Sequence, residues 1–276
     1  MGKFGGEIIE TAELHQCDRC KAVALPESLV LPVDFYESEA YRLSLGENAD
    51  IESFYRLHDP EQSERLAFTG TAIFRNKLTC DVGCGGGSFL SLIKGLSQSI
   101  IAVEPCRLFH PALKQNGFHV YPYVHEAVRD HRGRVEVAVS FATLEHVNDP
   151  LTFLQDIRDL LRPGGRLILS TPNLEDILLE ALPDVYPGFF FRAQHLWYFS
   201  RTSLHNLLEL AGYTRIKVIG HQRFGIGNFL SWLLHKSPKG NVEYDYVTPA
   251  LNQVWKTELE RTFRCDFLYA TCSCPE

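Results

Sequence analysis

The stretch Asp81-Val-Gly-Cys-Gly-Gly-Gly87 has residue types and spacing that prescribe chemistry. An apolar run over 78–82 leads into Gly83-x-Gly85-x-Gly87, and an apolar run resumes at Ser88. That order reads as strand, tight loop and helix, which is how an α/β sheet brings backbone against a nucleoside cofactor at a strand's carboxyl end. Glycine tolerates positive φ there and carries no Cβ to hold a ligand away. A dinucleotide loop wants Gly or Ala at position 88, where this chain has Ser88, and no Gly-Lys-Ser/Thr follows, which excludes a P-loop. A second apolar run, 99–103, ends in Glu104-Pro105. A carboxylate at that point can accept hydrogen bonds from both ribose hydroxyls. Asp81 either holds the loop's N–H groups or a water beside the ligand, or simply caps the turn.

Two histidines are candidate bases, because a neutral imidazole takes a proton near pH 7. His146, in Glu145-His146, sits just past the carboxyl end of the expected fourth strand. His195 lies in the aromatic loop Phe189-Phe-Phe-Arg-Ala-Gln-His-Leu-Trp-Tyr-Phe-Ser200. Each has a structural alternative: His146 as a builder of its loop, His195 as a hydrogen-bonding lid residue among packed aromatic rings. Cys17-Asp-Arg-Cys20 has the spacing of one zinc-ribbon knuckle, but a closed site needs four ligands. Cys272, Cys274 and His15 are the candidates to complete it, and a metal-free remnant is the competing reading. Cys84 is a small residue between glycines.

The elements that must position these groups follow from periodicity. Strands are expected near 78–82, 100–104, 118–121, 135–141, 165–171, 213–219 and 265–272. Helices are expected over 58–74, 87–97, 106–116, 123–131, 149–161 and 202–211, with Pro163-Gly164-Gly165 punctuating a helix end. Strands alternating with helices demand a largely parallel sheet covered on both faces. A chain of 276 residues can bury one such core with an appendage. The net charge of −7, without a basic stripe, gives no footprint for nucleic acid. Neither a signal peptide nor a membrane span is legible. Eight cysteines without a signal imply thiols or metal rather than a disulfide framework, hence a reducing cytoplasmic setting.

Four segments in order, Asp81–Gly87, Val103-Glu-Pro105, Ser140-Phe-Ala-Thr-Leu-Glu-His-Val147 and Leu160-Leu-Arg-Pro-Gly-Gly-Arg-Leu-Ile168, resemble class I S-adenosylmethionine (SAM)-dependent methyltransferases. The likeness covers roughly 60–220 and is nearest to the bacterial small-molecule and sugar branch, whose members often carry an N-terminal cysteine pair. It implies a Rossmann-like, seven-stranded, mostly parallel sheet with helices on both faces and an antiparallel last strand. The methyltransferase domain would span 58–276, with an extension over 1–57, an acceptor lid over 173–199 and an insertion over 222–262.

The implied cofactor is SAM, held by Asp81, Gly83, Cys84, Gly85, Gly87, Glu104 and Pro105. Tyr121 would border the adenine, and Ser140, Phe141 and Ala142 the methionine part. In related sugar enzymes a Glu-His pair in the lid carries the base; here it is Gln194-His195. The implied reaction methylates a hydroxyl or activated carbon of a small polar metabolite, a sugar being the narrowest suggestion. The rival is an inactive scaffold protein keeping the fold. The apolar stretch 224–235 suits a cap over the acceptor or a homodimer contact rather than a membrane anchor.

Overall fold

The computed structural model describes residues 14–29, 31–44, 46 and 50–276. Its strands are β1 (His15–Gln16), β2 (Val23–Ala24), β3 (Leu78–Val82), β4 (Ser99–Val103), β5 (His119–Tyr121), β6 (Val135–Phe141), β7 (Leu161–Pro172), β8 (Trp197–Tyr198), β9 (Thr214–His221) and β10 (Phe267–Ser273). Seven form one sheet in the order β5-β4-β3-β6-β7-β10-β9. The pairings from β5 to β7 are parallel, and β10 runs antiparallel to both β7 and β9. Segments such as Ser99-Ile-Ile-Ala-Val103 are apolar throughout because helices cover both faces of a parallel sheet. One face packs Val82, Val103 and Leu167 against Leu154, Ile157 and Leu207; the other packs Ala102, Val139 and Ile168 against Phe54, Phe89 and Phe109.

The strand order reverses at β3, whose neighbours are β4 and β6, so the glycine loop opens at the switch point where such sheets bind ligands.

Three boundaries differ from expectation, the helix expected over 87–97 being confined to Ser88–Ile93. A continuous helix spans Ile51–Thr69 rather than 58–74, because the Asp50 side chain accepts the Ser53 N–H at 2.8 Å and fixes an earlier start. The division between 57 and 58 therefore falls inside a helix. Pro163-Gly164-Gly165 does not merely end a helix. It lies within β7, where the register against β6 shifts between Val135 and Val137, the mark of a bulge.

A second, three-stranded sheet, β1-β2-β8, pins the N-terminal segment to the lid loop, and the Leu25 N–H donates to the Leu196 carbonyl at 3.0 Å. The lid helices Ile177–Ala181 and Pro187–Phe190 and the insertion helix Ile226–His235 join in a small core of Leu25, Leu178, Tyr186, Phe190, Tyr198 and Trp232. The stretch 224–235 thus packs through Phe229 and Trp232 against the chain's own segment 178–198. Among the described residues no helix is long and apolar enough to cross a membrane.

Candidate active site

A cavity of about 700 Å³ opens at the carboxyl ends of β3 and β6, within the range of ligand sites. Asp81, Gly83, Cys84, Gly85, Phe141 and Ala142 line one end of it. Glu104 is buried just behind the loop: one carboxylate oxygen accepts the Gly85 N–H at 2.7 Å, the other the Cys106 N–H at 2.8 Å. Each oxygen keeps a second lone pair, so this carboxylate both shapes the loop and can still accept hydroxyls. Asp81 is 3% exposed and accepts no hydrogen bond among the described residues. Burial pushes its carboxyl up to about 7, with Arg65 opposing and Glu104 adding to the rise.

The remaining cofactor candidates are placed elsewhere. Gly87 precedes the helix Ser88–Ile93 at φ +87°. The Ser140 hydroxyl donates to the Val82 carbonyl at 3.0 Å, a buried link between β6 and β3. The Tyr121 hydroxyl donates to Asp130 at 2.8 Å, toward the helix Val124–His131. Neither these residues nor Pro105 lines the cavity.

The missing Cβ atoms of the loop serve the protein as well as a ligand. A Cβ on Gly83 would lie 2.2 Å from the Thr143 Oγ1, and one on Gly85 would lie 2.5 Å from the Phe54 ring. Phe54 comes from the helix Ile51–Thr69, and the neighbouring Tyr55 hydroxyl donates to the Gly86 carbonyl at 3.0 Å. Ala142 stands at φ +51°, a left-handed conformation that strains a residue with a Cβ, on the cavity wall.

At the other end, Glu145, His146 and His195 converge. The His146 Nδ1 donates to the Gln194 carbonyl at 2.7 Å, which leaves its Nε2 as an acceptor facing the Tyr41 hydroxyl at 3.4 Å. Burial pulls His146 down to about 4 and holds His195 well below its ordinary range, with His146 and two arginines adding to the fall at His195. The His195 ring makes no hydrogen bond among the described residues and stands edge-on to His146, with centroids 4.8 Å apart. Glu145 is buried, with Oε2 lacking a hydrogen-bond partner among the described residues, and burial pushes its carboxyl up to about 7. A carboxylate from just past the end of β6 thus stands near His195. Glu145, His146 and His195 offer ligand atoms that all lie within 4.8 Å of one another, so a modest side-chain shift would bring them onto one divalent cation.

Several cavity residues lie outside the expected site set. Tyr41 and Arg42 reach in from the N-terminal segment, whose aperiodic sequence gave no sign of it. Arg223 is held by Asp266, which accepts its Nε–H at 2.7 Å and its backbone N–H at 2.9 Å. Asp176 accepts the Tyr186 hydroxyl at 2.8 Å. Arg192 sits in the quoted lid loop with its guanidinium 4.3 Å from the Phe189 ring centroid. Signals for these contacts would have required knowing which distant loops meet.

Cys17 and Cys20 lie in the turn between β1 and β2, where the Cys17 N–H donates to the Ala22 carbonyl at 2.8 Å. The Ala22 N–H donates to the Cys20 Sγ at 3.5 Å. Among the described residues no third ligand joins them, so the expected completion by His15, Cys272 or Cys274 does not form. Cys272 directs its thiol to the Leu167 carbonyl and Cys274 directs its thiol to the Arg158 carbonyl instead.

The family model of the methyltransferase domain matches residues 55–218. A ubiquinone biosynthesis O-methyltransferase of Ruegeria pomeroyi is 28% identical over 185 residues, covering 62% of this chain and 71% of that one. A tRNA U34 carboxymethyltransferase of Idiomarina loihiensis is 27% identical over 159 residues, covering 53% of this chain and 48% of that one. The chain therefore spans about half the length of the second relative. A SAM-dependent methyltransferase from Archaeoglobus fulgidus shares the fold, with a TM-score of 0.55 at 16% identity over 80% of this chain and 97% of that one.

Proposed function

This chain belongs to the class I SAM-dependent methyltransferases, and we propose that it moves a methyl group from SAM to a hydroxyl or activated carbon of a small molecule, with His195 as the base. One observation carries the reading: the glycine loop with Asp81, and His195 with Glu145, open on the same cavity. The cofactor fits the residues present. A buried Asp81 carboxyl that accepts no hydrogen bond among the described residues is suited to a cationic ligand, whose positive charge would restore its ionised form. Glu104 keeps acceptor capacity for the ribose.

When bound, SAM supplies the methyl group and leaves as a neutral thioether. The chain's own work is to align the acceptor, exclude water and take a proton. With SAM held by the glycine loop, the acceptor atom would take the methyl carbon as the carbon–sulfur bond broke. The acceptor's proton passes to His195, and Glu145 stabilises the imidazolium. His146 has its Nδ1 committed to the Gln194 carbonyl and its Nε2 facing Tyr41, so we assign it to positioning.

A small acceptor, rather than a nucleic acid, is supported by the net charge of −7 and by the aromatic enclosure of this end. The relatives above name a quinone precursor pathway and a tRNA; a sugar acceptor finds no support in them and is set aside. Calorimetry with SAM and S-adenosylhomocysteine tests the reading. Both are expected to bind, and binding to neither would leave only the scaffold reading.

A second reading is favoured by the ligand atoms of Glu145, His146 and His195, which could place a divalent cation against the acceptor oxygen. Turnover that survives exhaustive chelation removes it.

A further inference from the structure

An arginine partly withdrawn from water is best tolerated when a carboxylate answers its charge. The acceptor end holds two arginines in different circumstances. Arg223 is answered by Asp266, which takes two of its N–H groups, and its guanidinium also stacks 3.8 Å from the Phe267 ring centroid. Arg192 has no carboxylate within 4.0 Å among the described residues. Its Nε donates to the Phe189 carbonyl at 2.8 Å, which fixes the guanidinium plane and leaves both terminal NH₂ groups uncommitted. Burial pulls its pKa down from the ordinary arginine range, the sign of a cation that is poorly compensated.

The backbone around Arg192 is held firmly. Its N–H donates to the Tyr198 hydroxyl at 2.8 Å, and its carbonyl accepts the His195 N–H at 3.0 Å. The same loop that carries the proposed base therefore presents to the cavity a fixed cation that stacks on Phe189 but has no carboxylate beside it among the described residues. Beside it stands an aromatic wall: Trp232 meets Tyr186 and Phe189 at centroid distances of 5.0 Å each, and Phe190 lies 5.9 Å from Tyr186. A planar fork beside flat rings suits an oxyanion attached to an apolar, preferably aromatic, body.

We propose that Arg192 anchors an oxyanion of the methyl acceptor, a carboxylate or phosphate, whose apolar part lies on the wall of Tyr186, Phe189, Phe190 and Trp232. The proposal rests on the methyl-transfer reading, because it concerns the acceptor end of that same cavity. It also gives the acceptor an orientation: the anionic group is held on the loop three residues from His195, so the nucleophile is presented from a fixed side.

The test is calorimetry on the full chain saturated with S-adenosylhomocysteine, with benzoate, phenyl phosphate and benzamide as probes. At least one anion is expected to bind about tenfold or more tighter than the neutral amide, the span of one charge-assisted hydrogen bond. Arg192→Gln is expected to erase that preference, and Arg192→Lys to keep part of it. S-adenosylhomocysteine binding by each variant reports that the chain is folded. Equal binding of acid and amide, a preference that survives Arg192→Gln, or no binding of any probe to the loaded protein overturns the proposal. Failure of S-adenosylhomocysteine itself to bind would instead strike the methyl-transfer reading.

Discussion

The two ends of the cavity are built on opposite plans. At the cofactor end β3 and the loop after it contribute Asp81, Gly83, Cys84 and Gly85 to the wall, and Glu104, one residue past the adjacent strand, braces that loop from behind. Its side chains are acidic, and much of its binding capacity is backbone. At the acceptor end Glu145 and His146 follow β6, Arg192 and His195 come from the lid loop, Arg223 and Trp232 from the insertion, and Asp266 from the edge of β10. Here the work falls to side chains brought from far apart. An adenosyl group is common to every reaction of the family and can be met by a short, fixed loop. An acceptor is particular to one enzyme and is met by segments that can vary without disturbing the sheet.

The widest separation between the two ends should come from His195→Ala. Turnover is expected to fall by about two to four powers of ten, the usual contribution of a placed base, while SAM affinity in calorimetry stays nearly the same. Unchanged turnover would show that the acceptor end does its chemistry without this imidazole. Glu145→Gln should lower kcat by about one to two powers of ten and shift the pH profile, because a neutral amide stabilises an imidazolium poorly. An unshifted profile would count against its pairing with His195.

Asp81→Asn should do the reverse of His195→Ala, weakening SAM by about tenfold or more while making the empty protein more stable at pH 8. The folded carboxyl titrates near 7 against an ordinary value of 3.8. The stability tied to this group is therefore fully present below pH 4, declines as pH rises, and is lost above pH 7, where a buried charge must be carried. Asparagine removes that burden, worth on the order of 2–4 kcal/mol at pH 8 and nothing at pH 3.5. Denaturant melts at both values check it, and equal gains at both would refute the assignment.

The smallest expected effect tests the seam between the ends. Ala142→Gly relieves a left-handed alanine and should raise Tm by about 1–3 °C. A fall in Tm would mean that the Ala142 methyl packs more than it strains.

The strand, glycine loop and helix over 78–93 were legible in the chain because their information is local. A strand, a positive-φ glycine loop and a helix must be contiguous, so spacing alone carries them. Even there, tertiary contacts changed the meaning of particular residues. Tyr121 turns to Asp130, Ser140 ties β6 to β3, and Gly85 makes room for Phe54 of a helix that periodicity started too late.

By itself, the order of apolar runs, glycines and acids determined an alternating α/β fold with a largely parallel sheet and the nucleoside character of the loop, because local hydrogen-bonding geometry ties each of these to sequence neighbours. Only the tertiary structure decided that Glu145 stands beside His195, that among the described residues Arg192 has no carboxylate while Arg223 has one, and that Tyr41 and Arg42 of the N-terminal segment line the cavity. Burial and charge compensation depend on which distant segments meet, and no spacing along the chain encodes that meeting.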